Sequence, residues 1–455
     1  MAKERVVVIG GDAAGMSAAS QLRRLRKDVS IVAFERGNHT SYSGCGIPYL
    51  VARLVKDHRE LIARTPEEFR KELDIDVRIL TEVTRIDPSG RTVDWKNLLT
   101  GETGTEPYDK LLIATGAVPV RPPVPGIGAR GVFGVNTLDS GLAVRRWIEE
   151  RRPRRAVVVG GGYIGLEMAE ALNCHLGLDT SVIERAPQVM GTLDPDMGRM
   201  VGEALREVGM SLYLEEGLTA IQTEGDRAVA VETDRRTLEA DIVLLGLGVA
   251  PNSGLAREAG LPLGVRDAIV VDEGMRTPVE GIYAAGDCVQ IRNLASGRPF
   301  HVALGTTANK MGRVAGINLA GGEATFPGAL GTAVCKICRY EVARTGLLER
   351  EMGDLGIDWV AASAESETRA GYYPGAGSIT VKLLAERGTG RLLGGQIVGV
   401  EGAAKRIDIL ATALTARMTV DQLVDLDLSY APPFSPVWDP VQTAARVLQS
   451  RMRKR

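Results

Sequence analysis

The sequence predicts an α/β fold in which a parallel-sheet unit occurs twice and an antiparallel α+β domain follows. A β-branched run enters a glycine turn at residues 6–15, the same pattern returns at residues 156–165, and alternating strands begin beyond Gly321 and Gly322.

In the first unit, residues 6–9 form a continuous strand, followed by Gly10-Gly11-Asp12-Ala13-Ala14-Gly15, a helical stretch at 16–26 and a second strand at 30–34 that ends in Glu35. Strand, glycine turn, helix and a following acid make the pattern of a dinucleotide site. Glycine lets the backbone approach a pyrophosphate, the helix N-terminus adds partial positive charge, and the carboxylate takes a ribose hydroxyl. Asp12 replaces the middle glycine, so a tight turn opening a buried sheet is the alternative.

The second unit keeps all three glycines in Gly160-Gly161-Gly162-Tyr163-Ile164-Gly165, between a strand at 156–159 and a helix at 166–175. Residues 181–183 lead into Glu184, which favours NADH through the 2′-hydroxyl, whereas Arg185 tolerates the 2′-phosphate of NADPH. Two such units imply two dinucleotides.

Residues 111–116 read as a buried strand ending in the Thr115-Gly116 turn, and the proline-rich 118–125 as a crossing linker mirrored by 244–252. Residues 281–287 form a strand ending on Asp287. The second unit is therefore expected to be inserted in the first: one domain at 1–120 and 250–322, another at 121–249, a third at 323–455. The third is read as strands at 332–340, 341–347, 358–362, 378–384 and 392–400, then helices at 403–416 and 419–426. A rigid extended tail over 430–440 and a frayed arginine-rich end over 451–455 complete it.

Lys+Arg total 55 against Asp+Glu 57, a net charge of -2, so no global basic field points to nucleic acid or a membrane surface. No apolar run approaches a membrane span, and the strand beginning at Arg5 leaves no room for a signal peptide. Cys45, Cys174, Cys288, Cys335 and Cys338 are too scattered for a disulfide scaffold, which suggests a reducing cytoplasm. Cys335-Lys-Ile-Cys338 has C-x-x-C spacing, but in a strand its cysteines face opposite sides, and no metal site is expected.

The stretch Ser41-Tyr-Ser-Gly-Cys-Gly-Ile-Pro-Tyr49 carries the candidate chemistry. Pro48 suits a helix start, whose free N–H groups would face Cys45 and favour its thiolate. A small buried cysteine in a tight turn is the alternative.

Two dinucleotide folds, the Thr115-Gly116 and Gly286-Asp287 turns and an α+β C-terminus together resemble the FAD-dependent pyridine nucleotide-disulfide oxidoreductases. The resemblance implies FAD in the first fold, NAD(P)H in the second and a homodimer built on the third domain. It assigns Gly10, Ala14, Gly15, Glu35, Arg36, Ser43, Thr115, Gly116 and Asp287 to FAD. Gly160, Gly162, Tyr163, Ile164, Gly165, Glu184 and Arg185 would serve NAD(P)H. Members with a C-x-x-x-x-C pair are not matched, because Thr40 and Leu50 lie five residues either side of Cys45, and no histidine follows His301. Ala13 stands where peroxidases and many oxidases carry a turn histidine.

Within the single-cysteine branch, Gly371-Tyr372-Tyr373-Pro374-Gly375 and Tyr430-Ala431-Pro432-Pro433 resemble coenzyme A disulfide reductases. That likeness makes Cys45, Tyr372 and Tyr430 the catalytic set, with the tyrosines supplied by the partner subunit. Gln21 and Arg24 would meet coenzyme A, with Arg59, Arg64, Lys71 and Arg406 as further cations. The alternatives for function are an NADH oxidase, a persulfide or polysulfide reductase, and a redox-sensing flavoprotein that binds a partner protein.

Overall fold

The computed structural model describes residues 3–453. Strands Arg5–Ile9, Ser30–Phe34, Asp76–Arg78, Lys110–Ile113 and Ile282–Ala284 form a parallel sheet, with Arg5–Ile9 central between Ser30–Phe34 and Lys110–Ile113. Val6, Val7 and Val8 are fully buried, as expected for a strand covered on both faces. Helices Ala13–Leu25 and Gly305–Leu319 pack together.

A second parallel sheet repeats the plan, with Arg155–Val159 central between Asp179–Glu184 and Ile242–Leu245, and Ser211–Leu214 and Val132–Gly134 at the edges. The two crossing segments pair with each other: Ala117–Pro119 runs antiparallel to Val249–Pro251. Two three-stranded antiparallel sheets, Thr81–Asp87 with Thr92–Asn97 and Thr103–Pro107, and Leu218–Glu224 with Arg227–Thr233 and Thr237–Glu239, were not predicted. Most of their strands are rich in polar, part-exposed residues, so apolar alternation is weak in them.

The C-terminal sheet contains five antiparallel strands, in the order Ala333–Ile337, Tyr340–Gly346, Leu392–Gly399, Ser378–Glu386, Trp359–Glu367. The extended tail does not continue to the end of the chain. Pro440–Arg453 is a helix whose Val441, Ala444, Ala445 and Leu448 are buried at helical spacing, and Arg451 donates to the Ala361 carbonyl at 2.9 Å. The frayed end is therefore corrected over 451–453; residues 454–455 lie outside the described part.

The expectation of no structural disulfide is also corrected: Cys174 is bonded to Cys338, with Cα atoms 6.4 Å apart. The strand stops at Ile337, and Cys338 begins the hairpin turn with φ +53°, so strand alternation no longer governs where its sulfur points. Cys174 sits in the wide helical turn Ala171–His175 that ends helix Tyr163–Glu170. The bond ties the second nucleotide fold to the C-terminal sheet.

Candidate active site

Sterics shape both glycine turns. Gly10 and Gly160 adopt φ of +113° and +107°, and a side chain at either would collide with the carbonyl of Ala114 or Gly246. Gly15 and Gly165 let each helix approach the turn carbonyl of Gly10 or Gly160. The acids at the ends of the second strands do the same work in each copy. Glu35 accepts the amides of Gly11 and Gly37 at 2.8 and 2.7 Å; Glu184 accepts those of Gly161 and Ala186, both at 2.8 Å. Ala14 is buried beside its turn, and Ile164 packs against the core behind the other. Arg36 and Arg185 are exposed flanking cations.

Asp12, the residue that breaks the glycine pattern, precedes the helix without capping it. Its carboxylate instead accepts the Tyr42 amide at 3.2 Å. Ser41 donates its amide to the Gly11 carbonyl at 2.9 Å, and the Thr40 hydroxyl donates to the same oxygen. Ser43 donates its amide to Leu61. The cysteine loop is thus laced directly to the first nucleotide turn.

Cys45 lies in the tight turn Gly44–Gly46, just before helix Ile47–Val51, with a free and exposed thiol. Ile47 and Leu50 enter an apolar cluster with Leu166 and Ala169 of the second fold and Ile337 and Val342 of the C-terminal sheet. The cysteine therefore stands where all three parts of the chain meet.

The expected thiolate-favouring field does not dominate. Burial of part of the thiol's surroundings pushes Cys45 up, and the carboxyls of Glu167, Asp287 and Asp12 add to it. A five-residue helix has too little aligned backbone to outweigh this. Those acids are perturbed as well: burial raises Asp12 and Glu167 to about 7 and Asp287 to about 6. Glu167, on helix Tyr163–Glu170, is a site residue that sequence reading missed. A glutamate four positions past Tyr163 was the available signal.

Whether FAD fits is tested by the unpaired atoms. Asp287 Oδ1 is buried without a hydrogen-bond partner, at the end of the strand beside the first glycine turn. A ribityl hydroxyl is a suitable donor for it. His301 Nε2 donates to the Asp287 carbonyl at 2.8 Å, and its Nδ1 is likewise buried and unpaired. Thr115 and Asn252 exchange hydrogen bonds, 2.6 Å from hydroxyl to carbonyl and 3.2 Å for the return, which holds the Gly116 turn. The Tyr163 hydroxyl is buried and unpaired beside the second turn, with its phenol raised to about 12 by burial. Both turns therefore fit the groups expected of them.

Other expected residues are placed less centrally. Arg24 is exposed and reaches Gln21 at 3.4 Å, whereas neighbouring Arg23 is buried on the carbonyls of Lys27 and Asp74 and serves the fold. Arg59 pairs with Asp57 and Arg64 with Glu72. Arg406 is buried, which removes it from the candidate phosphate ligands. Tyr372 and Tyr430 are 78% and 46% exposed, and pairing with Tyr372 pushes the Tyr430 phenol up. They lie together on the C-terminal domain, outside the group of residues around Cys45 in the same chain.

Two nucleotide turns, with Asp12 of the first and Glu167 of the helix after the second beside the free, exposed Cys45, define a flavin-type oxidoreductase linked to NAD(P)H. The pyridine nucleotide-disulphide oxidoreductase model matches residues 4–312, and the dimerisation domain of the same name matches 332–440. The chain belongs to this family, whose cofactors are FAD and NAD(P)H.

An NADH oxidase of Methanocaldococcus jannaschii is 40% identical over 448 residues, 97% of this chain and 98% of that protein. A CoA-dependent NAD(P)H sulfur oxidoreductase of Pyrococcus abyssi is also 40% identical, covering 98% of each. A coenzyme A disulfide reductase of Staphylococcus haemolyticus is 30% identical, over 95% and 96%. Among solved structures, reduced Bacillus anthracis CoADR-RHD matches with a TM-score of 0.95 at 35% identity, over 99% of this chain and 81% of that one.

Proposed function

We propose that this chain is an NAD(P)H-dependent reductase of coenzyme A disulfide that works through Cys45 alone. The observation that carries the reading is the free, exposed Cys45 at the junction of both nucleotide folds, with the other free cysteines, Cys288 and Cys335, buried. Bound FAD supplies two electrons from NAD(P)H to sulfur at this position. Cys45 rests as a mixed disulfide with coenzyme A. Two-electron cleavage of that bond releases coenzyme A thiol and leaves Cys45 as a thiolate. The thiolate attacks one sulfur of coenzyme A disulfide, expels the second coenzyme A and restores the mixed disulfide. NAD(P)H, a proton and one disulfide thereby become NAD(P)+ and two thiols.

A raised Cys45 thiol suits this cycle. The thiolate is delivered by reduction, so no base has to generate it, and a sulfur of higher pKa is the stronger nucleophile and the poorer leaving group. The departing coenzyme A needs a proton, and the phenols of Tyr372 and Tyr430 are suited to donate or hydrogen-bond at that point. They reach Cys45 in a homodimer, each from the opposite subunit. Phe434 and Val437, 75% and 69% exposed near Tyr430, are apolar groups that such an interface would cover. Gln21 and Arg24 would hold coenzyme A phosphate. Among the described residues, no helix is long and apolar enough to cross a membrane, and a cytoplasmic location is part of the same proposal.

A second reading, coenzyme A persulfide or polysulfide as the acceptor, is favoured by the higher identity to the Pyrococcus protein. The same Cys45 attack serves it. NADH consumption with oxygen, coenzyme A disulfide, coenzyme A persulfide and polysulfide separates the readings. Fastest turnover with the disulfide supports the first, and fastest turnover with oxygen contradicts both.

A further inference from the structure

We infer that Arg406 is a positioning residue that holds the two tyrosine-bearing loops in one arrangement. The inference rests on the proposed role of Tyr372 and Tyr430. Arg406 ends the short turn Ala404–Arg406 and is 9% exposed. Its Nε donates to Asp439 Oδ2 at 3.0 Å. One nitrogen, Nη2, donates to the Thr368 carbonyl at 2.7 Å and the Phe434 carbonyl at 2.8 Å, while Nη1 donates to Gly402.

The two Nη2 acceptors matter most. Thr368 lies just past strand Trp359–Glu367, four residues before Tyr372; Phe434 lies four residues after Tyr430. A single planar group thus fixes both loops from below. Ala370 also donates its amide to Pro432 at 3.1 Å, so the loops run against each other. Asp439 completes the anchor by accepting the Ser435 hydroxyl at 3.2 Å and the Val441 amide at 2.9 Å.

Four guanidinium N–H groups are committed to these bonds, so Arg406 is no phosphate ligand despite its charge. Lysine keeps the charge opposite Asp439 but lacks the fork that reaches both loop carbonyls.

The test is a double-mutant cycle on the FAD-loaded dimer, combining Arg406→Lys with Tyr430→Phe. Flavin reduction by NADPH and turnover of coenzyme A disulfide are measured separately. The expected result is a loss of tenfold or more in kcat/KM for coenzyme A disulfide in Arg406→Lys, with flavin reduction within twofold of wild type. In the Tyr430→Phe background the added loss from Arg406→Lys should fall below threefold. If the losses multiply, or if flavin reduction falls equally, Arg406 is a general structural residue and the inference is overturned. If Tyr372→Phe/Tyr430→Phe turns over coenzyme A disulfide normally, the tyrosine role itself fails, a result distinct from a failure of Arg406 alone. Should the lysine variant not fold, Arg406→Gln with Asp439→Asn removes cation and anion together and takes its place in the cycle.

Discussion

The Asp12 carboxylate accepts the backbone amide of Tyr42 at 3.2 Å, joining the first nucleotide turn to the loop that presents Cys45. An aspartate at a position where the pattern calls for glycine thus has a local purpose. Asp12→Gly, which restores the pattern, removes the acceptor of the Tyr42 amide and should loosen residues 41–46. Hydrogen exchange localises the effect: faster exchange at Tyr42 and Ser43 is expected, with little change at the second turn.

Glu167 is the leading charged neighbour that raises Cys45. Glu167→Gln should therefore shift the pH profile of Cys45 alkylation by iodoacetamide to lower pH. An unchanged profile would show that burial and the remaining acids, Asp287 and Asp12, set the thiol without Glu167.

The pH dependence of stability follows from the same acids. Glu167 is held near 7 in the fold against 4.5 in the unfolded chain. Between those values the unfolded chain releases its proton and the folded chain keeps it, so stability falls as pH rises from about 4 to 7 and then levels. Asp12 and Asp287 act in the same direction. Relative to wild type, Glu167→Gln apoprotein should gain up to about 3 kcal/mol above pH 7 and nothing at pH 4. Chemical denaturation at a series of pH values reads this directly.

Cys174–Cys338 crosses from the second fold to the C-terminal sheet and closes a separation of 164 residues. Its loss should cost about 2–4 kcal/mol. Dithiothreitol is expected to lower the wild-type melting temperature and to leave that of Cys174→Ser unmoved.

Lys382 is buried among Asp194, Asp196 and Glu349 at 3.1, 2.7 and 2.9 Å, and Gln396 donates to Asp194 at 2.7 Å. Lys382→Met leaves a buried carboxylate uncompensated and should destabilise the seam between the second fold and the C-terminal sheet by about 3–5 kcal/mol. Thermal unfolding of the holoenzyme checks it.

Features that depend on local stereochemistry were legible in the sequence. Gly10 and Gly160 must be glycine to turn where they do, Glu35 and Glu184 follow at the end of the next strand, and Cys45 sits conspicuously among small residues. The five C-terminal strands were visible because alternation is strong there. What depends on distant neighbours was not legible. Cys45 looks activated when only Pro48 and its helix are considered, yet burial, with Glu167 and Asp287 from far along the chain adding to it, reverses the sign. Arg406 reads as an available cation until Thr368, Phe434 and Asp439 close around it. The pairing of Cys174 with Cys338 needs the contact between two domains, which no spacing encodes.

The central claim is that one sulfur, Cys45, carries the redox cycle with coenzyme A as its partner. Intact mass of the protein purified without reductant, before and after dithiothreitol, tests it most directly, with Cys45→Ser measured alongside and assayed for turnover. One coenzyme A per chain, released by dithiothreitol and absent from an inactive Cys45→Ser, is the expected result. Normal turnover of coenzyme A disulfide by Cys45→Ser would contradict it.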